Sequence, residues 1–146
     1  MQHSQRPDYW MFVTFCRLVR TPFPDEARDQ ILSHCLHDNG LRYDLHAAVV
    51  MPDHVHLLLT PLRDEQGWSY ALPGILKLIK GVSARSVNKL LRTSGPVWQE
   101  ESFDHVLHNY ESLQEKTEYI RRNPARKRLV ERPEEYRWFW PKRGNL

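Results

Sequence analysis

His54 and His56 stand one residue apart in the segment Val49-Val-Met-Pro-Asp-His-Val-His-Leu-Leu-Leu-Thr60, and no other pair in the chain has a clearer capacity for chemistry. Successive side chains on a strand leave the sheet on opposite faces, so a His-hydrophobe-His step puts both imidazoles on one side, roughly 6–7 Å apart along the strand. Both rings can then reach one ion. Imidazole is the commonest metal ligand near neutral pH, and two polar rings on an otherwise apolar strand need a polar destination. The same spacing also fits two surface histidines or a satisfied core pair, and spacing alone does not choose between them.

The neighbouring residues define the setting. Met51-Pro-Asp53 is turn chemistry between two apolar runs, so the histidines open the second strand of a hairpin, beside its turn. Leu57-Leu-Leu59 is apolar on both faces, as in a central strand covered on both sides. Asp53 fits either an acceptor that orients His54 or an ordinary turn residue.

The remaining elements follow from periodicity and punctuation. An aromatic, β-branched run predicts a strand over 9–18. Proline at the start, an apolar face of Ala27, Ile31, Cys35 and Leu36, and Gly40 as the stop predict a helix over 24–39. The hairpin occupies 41–51 and 54–60. A helical period returns over 72–92 through Leu72, Ile75, Leu76, Ile79, Val87 and Leu90, with Lys77, Arg85, Lys89 and Arg92 opposite. Residues 102–108 read as a fourth strand. This order is the ferredoxin-like βαββαβ motif, an α+β fold with an antiparallel sheet in which the first and third strands are central and both helices cover one face. The other face needs a cover, and a helix over 111–123, anchored by Leu113 and Ile120 and stopped at Pro124, can supply it. On that helix Tyr119 and Asn123 are four apart and share a flank. A packed ring and a terminal cap would explain the pair equally well.

With 146 residues, no repeats and no linker composition, the chain reads as a single domain over 1–146, with its core at about 9–138. Cys16 and Cys35 lack metal-site or disulfide-framework spacing and read as reduced, packed thiols, which implies a cytoplasmic setting. The opening residues contain no apolar signal region, and no stretch approaches the ~20 apolar residues of a membrane span, so no membrane partner is expected. The absence of a glycine-rich phosphate loop argues against a nucleotide cofactor. Net charge is +3, a modest excess whose meaning depends on where it lies. Arg121, Arg122, Arg126, Lys127 and Arg128 put five cations into eight residues with no acid among them, immediately after Tyr119, where they can attract a phosphate backbone. Lys77, Arg85, Lys89 and Arg92 fit a solvated helix face better than a binding track. Trp138, Phe139 and Trp140 suit either stacking on unpaired bases or packing of a C-terminal tail. His46 and His105 read as structural.

Three ordered motifs carry a family resemblance. His54-Val-His56 after Met51-Pro-Asp53, then Gly95-Pro-Val-Trp-Gln-Glu-Glu-Ser-Phe-Asp104, then Tyr119-Ile-Arg-Arg-Asn-Pro124 followed by Leu129-Val130 and Tyr136-Arg-Trp138, resemble the REP-associated tyrosine transposases. That group is a branch of the single-tyrosine transposases within the His-hydrophobe-His nuclease superfamily. The resemblance implies an endonuclease and strand transferase for single-stranded, hairpin-flanked DNA, working through a 5′-phosphotyrosine intermediate and a free 3′-hydroxyl. It implies Tyr119 as nucleophile, His54, His56 and Asn123 as metal ligands, and Lys80 as a phosphate contact, with Mg²⁺ or Mn²⁺ as cofactor. Asn123 departs from the glutamine common in related insertion-sequence enzymes, keeping the amide oxygen on a shorter reach. The resemblance implies single-stranded or hairpin DNA as the partner, and the protein is expected to be a monomer or homodimer, with monomer favoured. A second reading is a non-cleaving DNA-binding protein derived from such an enzyme. An RNA-binding ferredoxin-like domain is a more distant third, against which the sheet-face histidines count.

Overall fold

The computed structural model describes residues 9–143. Strands β1 (Trp10–Cys16), β2 (Tyr43–Met51), β3 (His54–Pro61), β4 (Phe103–Leu107) and β5 (Phe139–Pro141) form one antiparallel sheet in the order β4-β1-β3-β2-β5. Helices α1 (Asp25–His37), α2 (Leu72–Leu91) and α3 (Tyr110–Arg126) complete the α+β architecture. β1 and β3 are central, as the ferredoxin-like order requires.

Register decides which side chains meet. Val13 faces Leu57 and Phe15 faces Val55 across β1 and β3, and all four are fully buried on one face of the sheet. Trp98 packs edge-on against Phe15 with ring centroids 4.8 Å apart and donates its indole N–H to Ser83 Oγ of α2 at 3.0 Å, which places α2 on that face. α1 packs against α2 and β2. The alternate residues, Phe12, Thr14, His54 and His56, point the other way, and α3 lies over them.

The two-residue turn at Pro52 and Asp53 is held by the segment after β1. Arg17 N–H donates to Asp53 O at 2.8 Å and Phe23 N–H to Pro52 O at 2.7 Å, so the start of β3 is fixed from outside the hairpin. Cys16 and Cys35 are both free thiols, and burial pushes the Cys35 thiol up to about 12.

Three expectations are corrected. α3 does not stop at Pro124 but runs through it to Arg126. Proline this near a helix end removes a single intrahelical bond. The helix is closed further on, by Leu129 N–H donating to Pro124 O and Arg128 N–H to Ala125 O, both at 2.9 Å, with Arg128 in the left-handed region at φ 62°. That is a Schellman stop with arginine where glycine is usual. Leu90, expected in the α2 core stripe, is 41% exposed. After α3 the chain adds a 3₁₀ turn (Pro133–Glu135) and β5, neither of them anticipated. Tyr136 O–H donates to Val50 O, Trp138 is buried with its indole N–H on Asp29 Oδ1 at 2.8 Å, and β5 extends the sheet beside β2. Of the two readings of Trp138-Phe-Trp140, the structure therefore supports packing.

Candidate active site

His54 and His56 leave β3 on the face covered by α3, their ring centroids 4.8 Å apart and their planes at 78°. Each ring is held by a neighbour through Nδ1. His54 Nδ1 lies 2.8 Å from Asp53 Oδ1, and Asp53 Oδ2 in turn accepts from Arg20 Nε at 2.9 Å. His56 Nδ1 lies 2.8 Å from Thr14 Oγ1, and its ring stacks on Phe12 with centroids 5.2 Å apart. In the tautomer where each Nδ1–H donates, both Nε2 atoms carry the free lone pair, which is the usual arrangement of ligating histidines steadied by outer partners.

Electrostatics fit that role. Burial, then the neighbouring His54 and Lys116, holds His56 down at about 3, so its ring is neutral near physiological pH. Burial works against the Asp53 carboxylate, but hydrogen bonds from Arg20 and His54 outweigh it and hold the group below its ordinary value. A neutral imidazole and an ionised orienting carboxylate are both what a divalent ion requires. Among the described residues no cluster of three or more His, Cys, Asp or Glu side chains surrounds the pair. A third ligand would have to be an amide oxygen, water or the substrate itself. The donor set thus fits an ion that keeps open positions for a phosphate.

α3 brings Tyr119 to the same place. Its ring centroid is 6.3 Å from that of His56 and 6.4 Å from that of Phe12, and the residue is 37% exposed, packed on one side and open on the other. Asn123, one turn on, is 2% exposed, and no hydrogen bond to another described residue engages its side-chain amide. Tyr110, by contrast, opens α3, is 60% exposed, and accepts from Gln114 Nε2 at 3.1 Å.

Two residues at this site were not singled out in the sequence. Lys116 Nζ lies 4.7 Å above the Phe12 ring and 5.1 Å above the Tyr119 ring, and Thr14 holds His56. Lys116 was readable, since it lies three residues before Tyr119 and so on the same helix flank. Thr14 was not, because only strand pairing places it opposite His56.

The basic cluster divides in two. Arg121 makes paired hydrogen bonds of 2.8 Å to the Glu118 carboxylate, and Arg122 Nε also donates to it. The Arg121 hydrogen bond, opposed by burial and reinforced by Arg122, holds Glu118 down at about 2. The acid missing from the five-cation run thus lies one turn before it. Arg126 stands with Cζ 5.2 Å over the Tyr119 ring, and no carboxylate of the described residues pairs with Arg126, Lys127 or Arg128.

Lys80 does something the sequence did not suggest. Its ammonium donates to Gln99 O at 2.8 Å, Ser102 Oγ at 3.0 Å and Glu100 O at 3.1 Å, tying α2 to the strap that leads into β4. All three donors are engaged. Lys80→Met is expected to destabilise the fold by about 1–3 kcal/mol, the cost of leaving such acceptors unmatched, and to leave the salt dependence of any polyanion binding unchanged. Paired melting curves and salt titrations distinguish this tether from a phosphate contact, for which the slope would fall and stability hold.

No protein-family model matches the sequence, and no curated protein matches it either. Solved structures do. A REP-associated tyrosine transposase bound to a REP hairpin superposes with a TM-score of 0.70 at 17% identity, over 95% of this chain and 82% of that one. The fold matches that of a REP-associated tyrosine transposase. A candidate transposase from Deinococcus radiodurans follows at TM-score 0.53 and 23% identity, covering 82% of this chain and 95% of that one. A bacterial tRNA(His) guanylyltransferase-like protein in complex with GTP shares the fold at TM-score 0.59 and 10% identity, over 88% of this chain and 67% of that one. One architecture thus serves different chemistries, and function must be argued from the site. No helix among the described residues is long and apolar enough to cross a membrane.

Proposed function

We propose that this protein is a metal-dependent single-strand DNA endonuclease and strand transferase that acts in the cytoplasm, as a monomer or homodimer, on hairpin-flanked DNA through a 5′-phosphotyrosine intermediate. The observation that carries this reading is the meeting of a strand His-x-His pair and a helix tyrosine on one sheet face, with the His56 and Tyr119 rings 6.3 Å apart. A packed core has no need for two oriented imidazoles beside a half-open phenol. In this reading His54 and His56, with Asn123 as third ligand, hold Mg²⁺ or Mn²⁺. When bound, the ion supplies Lewis-acid stabilisation of the charge that builds on the phosphoryl oxygens.

The chain's own residues do the rest. Tyr119 loses its phenolic proton to solvent on its exposed side, and its oxygen forms a bond to phosphorus as the P–O3′ bond breaks. The leaving 3′-oxygen takes up a proton from water. Lys116 and Arg126 stand over the Tyr119 ring, where their positive charge faces the charge that builds on the reacting phosphate. Because the phosphotyrosine conserves the phosphoester, strand transfer to another 3′-hydroxyl needs no nucleotide. Asp53 and Thr14 keep the imidazoles oriented.

Arg126, Lys127 and Arg128 draw the phosphate backbone toward Tyr119, whereas Glu118 already occupies Arg121 and Arg122, which join the DNA contact only by exchanging partners. Neutralising Arg126, Lys127 and Arg128 together is expected to flatten the log–log salt dependence of single-strand binding by about 0.7 for each phosphate that is no longer neutralised. Fluorescence anisotropy across a salt series reads the slope, and an unchanged slope would remove the cluster from the interface. The activity itself is tested by metal-dependent nicking of labelled hairpin-flanked strands, with absence of nicking in Mg²⁺ and Mn²⁺ as the contrary result.

A further inference from the structure

We infer that Phe103, on edge strand β4, is a stacking platform for an unpaired DNA base next to the phosphate held at the candidate site. The inference rests on the DNA reading above and adds to it the surface that receives the flanking base. Register supplies the first argument. His56 is paired with Thr14 across β3 and β1, and Thr14 with Phe103 across β1 and β4, so the three side chains stand in one row on one face of the sheet. Two strand spacings separate the His56 and Phe103 backbones by about 10 Å, a distance that neighbouring nucleotides of an extended single strand can bridge.

Exposure supplies the second. Edge strand β4 is exposed from Phe103 to Val106, and Phe103, 59% exposed, is its phenyl ring on the face that carries the histidines. A single exposed aromatic is common and needs no explanation by itself. This one is aligned with a site whose other rings are already engaged: Phe12 stacks on His56 and lies under Lys116, and Tyr119 stands edge-on to Phe12. The row therefore runs from imidazole through Thr14 to an open benzene ring at the sheet edge.

Charge supplies the third. Lys116 and Arg126 stand over Tyr119, whose ring is 6.3 Å from that of His56 at one end of the row, while Phe103 at the other end presents an uncharged π-face. Cations for the backbone beside an aromatic for a base is the pattern of single-strand binding surfaces, and it is tolerant of sequence because every base has a π-face. The stacking role considered for Trp138-Phe-Trp140, which the packed tail leaves without its leading member, is thus met by a residue on a different strand.

The test compares wild type, Phe103→Ala and Phe103→Trp for binding to a short fluorescein-labelled oligo-deoxythymidine strand and to a blunt DNA hairpin without a single-stranded flank. Phe103→Ala is expected to weaken the single strand roughly 5- to 100-fold, with Phe103→Trp close to wild type and hairpin affinity the same for all three. Equal single-strand affinity in all three proteins would overturn the platform while leaving the DNA reading in place. Failure of wild type to bind the single strand at all would overturn both. If Phe103→Ala instead abolished self-association in sedimentation and left DNA affinity unchanged, Phe103 would be a protein contact and the inference would fail.

Discussion

Tyr119→Phe is expected to eliminate the covalent DNA adduct and to reduce cleavage by about 10³-fold or more, with single-strand affinity nearly intact. Removing one oxygen takes away the nucleophile and changes neither the ring's edge contacts with Phe12 and His56 nor the cations above it. Tyr110→Phe is the necessary comparison. Tyr110 also has an amide four residues on, Gln114, and in the sequence that pair fits the glutamine form of the motif better than Tyr119 with Asn123 does. Position separates them. A nucleophile must be held within about half an ångström of productive geometry, which a residue in the first helical turn provides less well than one in the interior. Tyr110 opens α3 and is 60% exposed, whereas Tyr119 is mid-helix and touches the histidine face. Tyr110→Phe is therefore expected to retain the adduct, and loss of the adduct in that variant alone would reverse the assignment.

His54→Ala and His56→Ala are each expected to abolish metal-dependent cleavage, a loss of about 10²-fold or more, while leaving most of the DNA affinity. The proposed mechanism divides the labour: the histidines would hold the ion that stabilises charge in the transition state, and affinity would come mainly from cations elsewhere. Outer partners give a graded version of the same result. Thr14→Val and Asp53→Asn leave both imidazoles in place and are expected to weaken Mn²⁺ binding about 10- to 100-fold, a loss that added metal should recover. Titration calorimetry with Mn²⁺ alone separates this effect from any change in DNA binding. Full cleavage by the double histidine variant, or undiminished cleavage in excess chelator, would remove the metal site.

The chemistry-bearing face was legible because it depends on period alone. A His-x-His step on a strand must share a face, and a helix with apolar anchors was needed to cover it, so the meeting of α3 with the histidine face follows from two local patterns and one topological rule, while the choice of Tyr119 on that helix came from the family resemblance. What stayed hidden depends on pairing between distant segments. β5 spans Phe139–Pro141, too short to show an alternation, and exists because β2 offers it an edge. The Lys80 tether joins residues about twenty positions apart, which no helical or strand period encodes. Pro124 misled for a different reason. The expectation came from the bias of the residue before proline against helical backbone, yet Asn123 stays helical and the Schellman stop at Arg128 sets the boundary. Glu118 was missed by starting the charge cluster at the motif rather than one turn before it, although its i+3 and i+4 reach to Arg121 and Arg122 is an ordinary helical neighbourhood.

The central claim is that Tyr119, beside a histidine-bound divalent ion, becomes covalently joined to DNA. Its most direct test is incubation of the wild-type protein with 5′- and 3′-labelled hairpins carrying randomised single-stranded flanks, in Mn²⁺ and in chelator, followed by denaturing electrophoresis and peptide mapping. The account predicts a denaturation-resistant adduct on the strand 3′ of the cut, a released strand ending in 3′-hydroxyl, suppression by chelator, and a phosphotyrosine at Tyr119. Cleavage without any adduct, or a phosphotyrosine mapped to Tyr110, would contradict it, and the second result would also remove Asn123 from the ligand set, since both assignments come from one helical register.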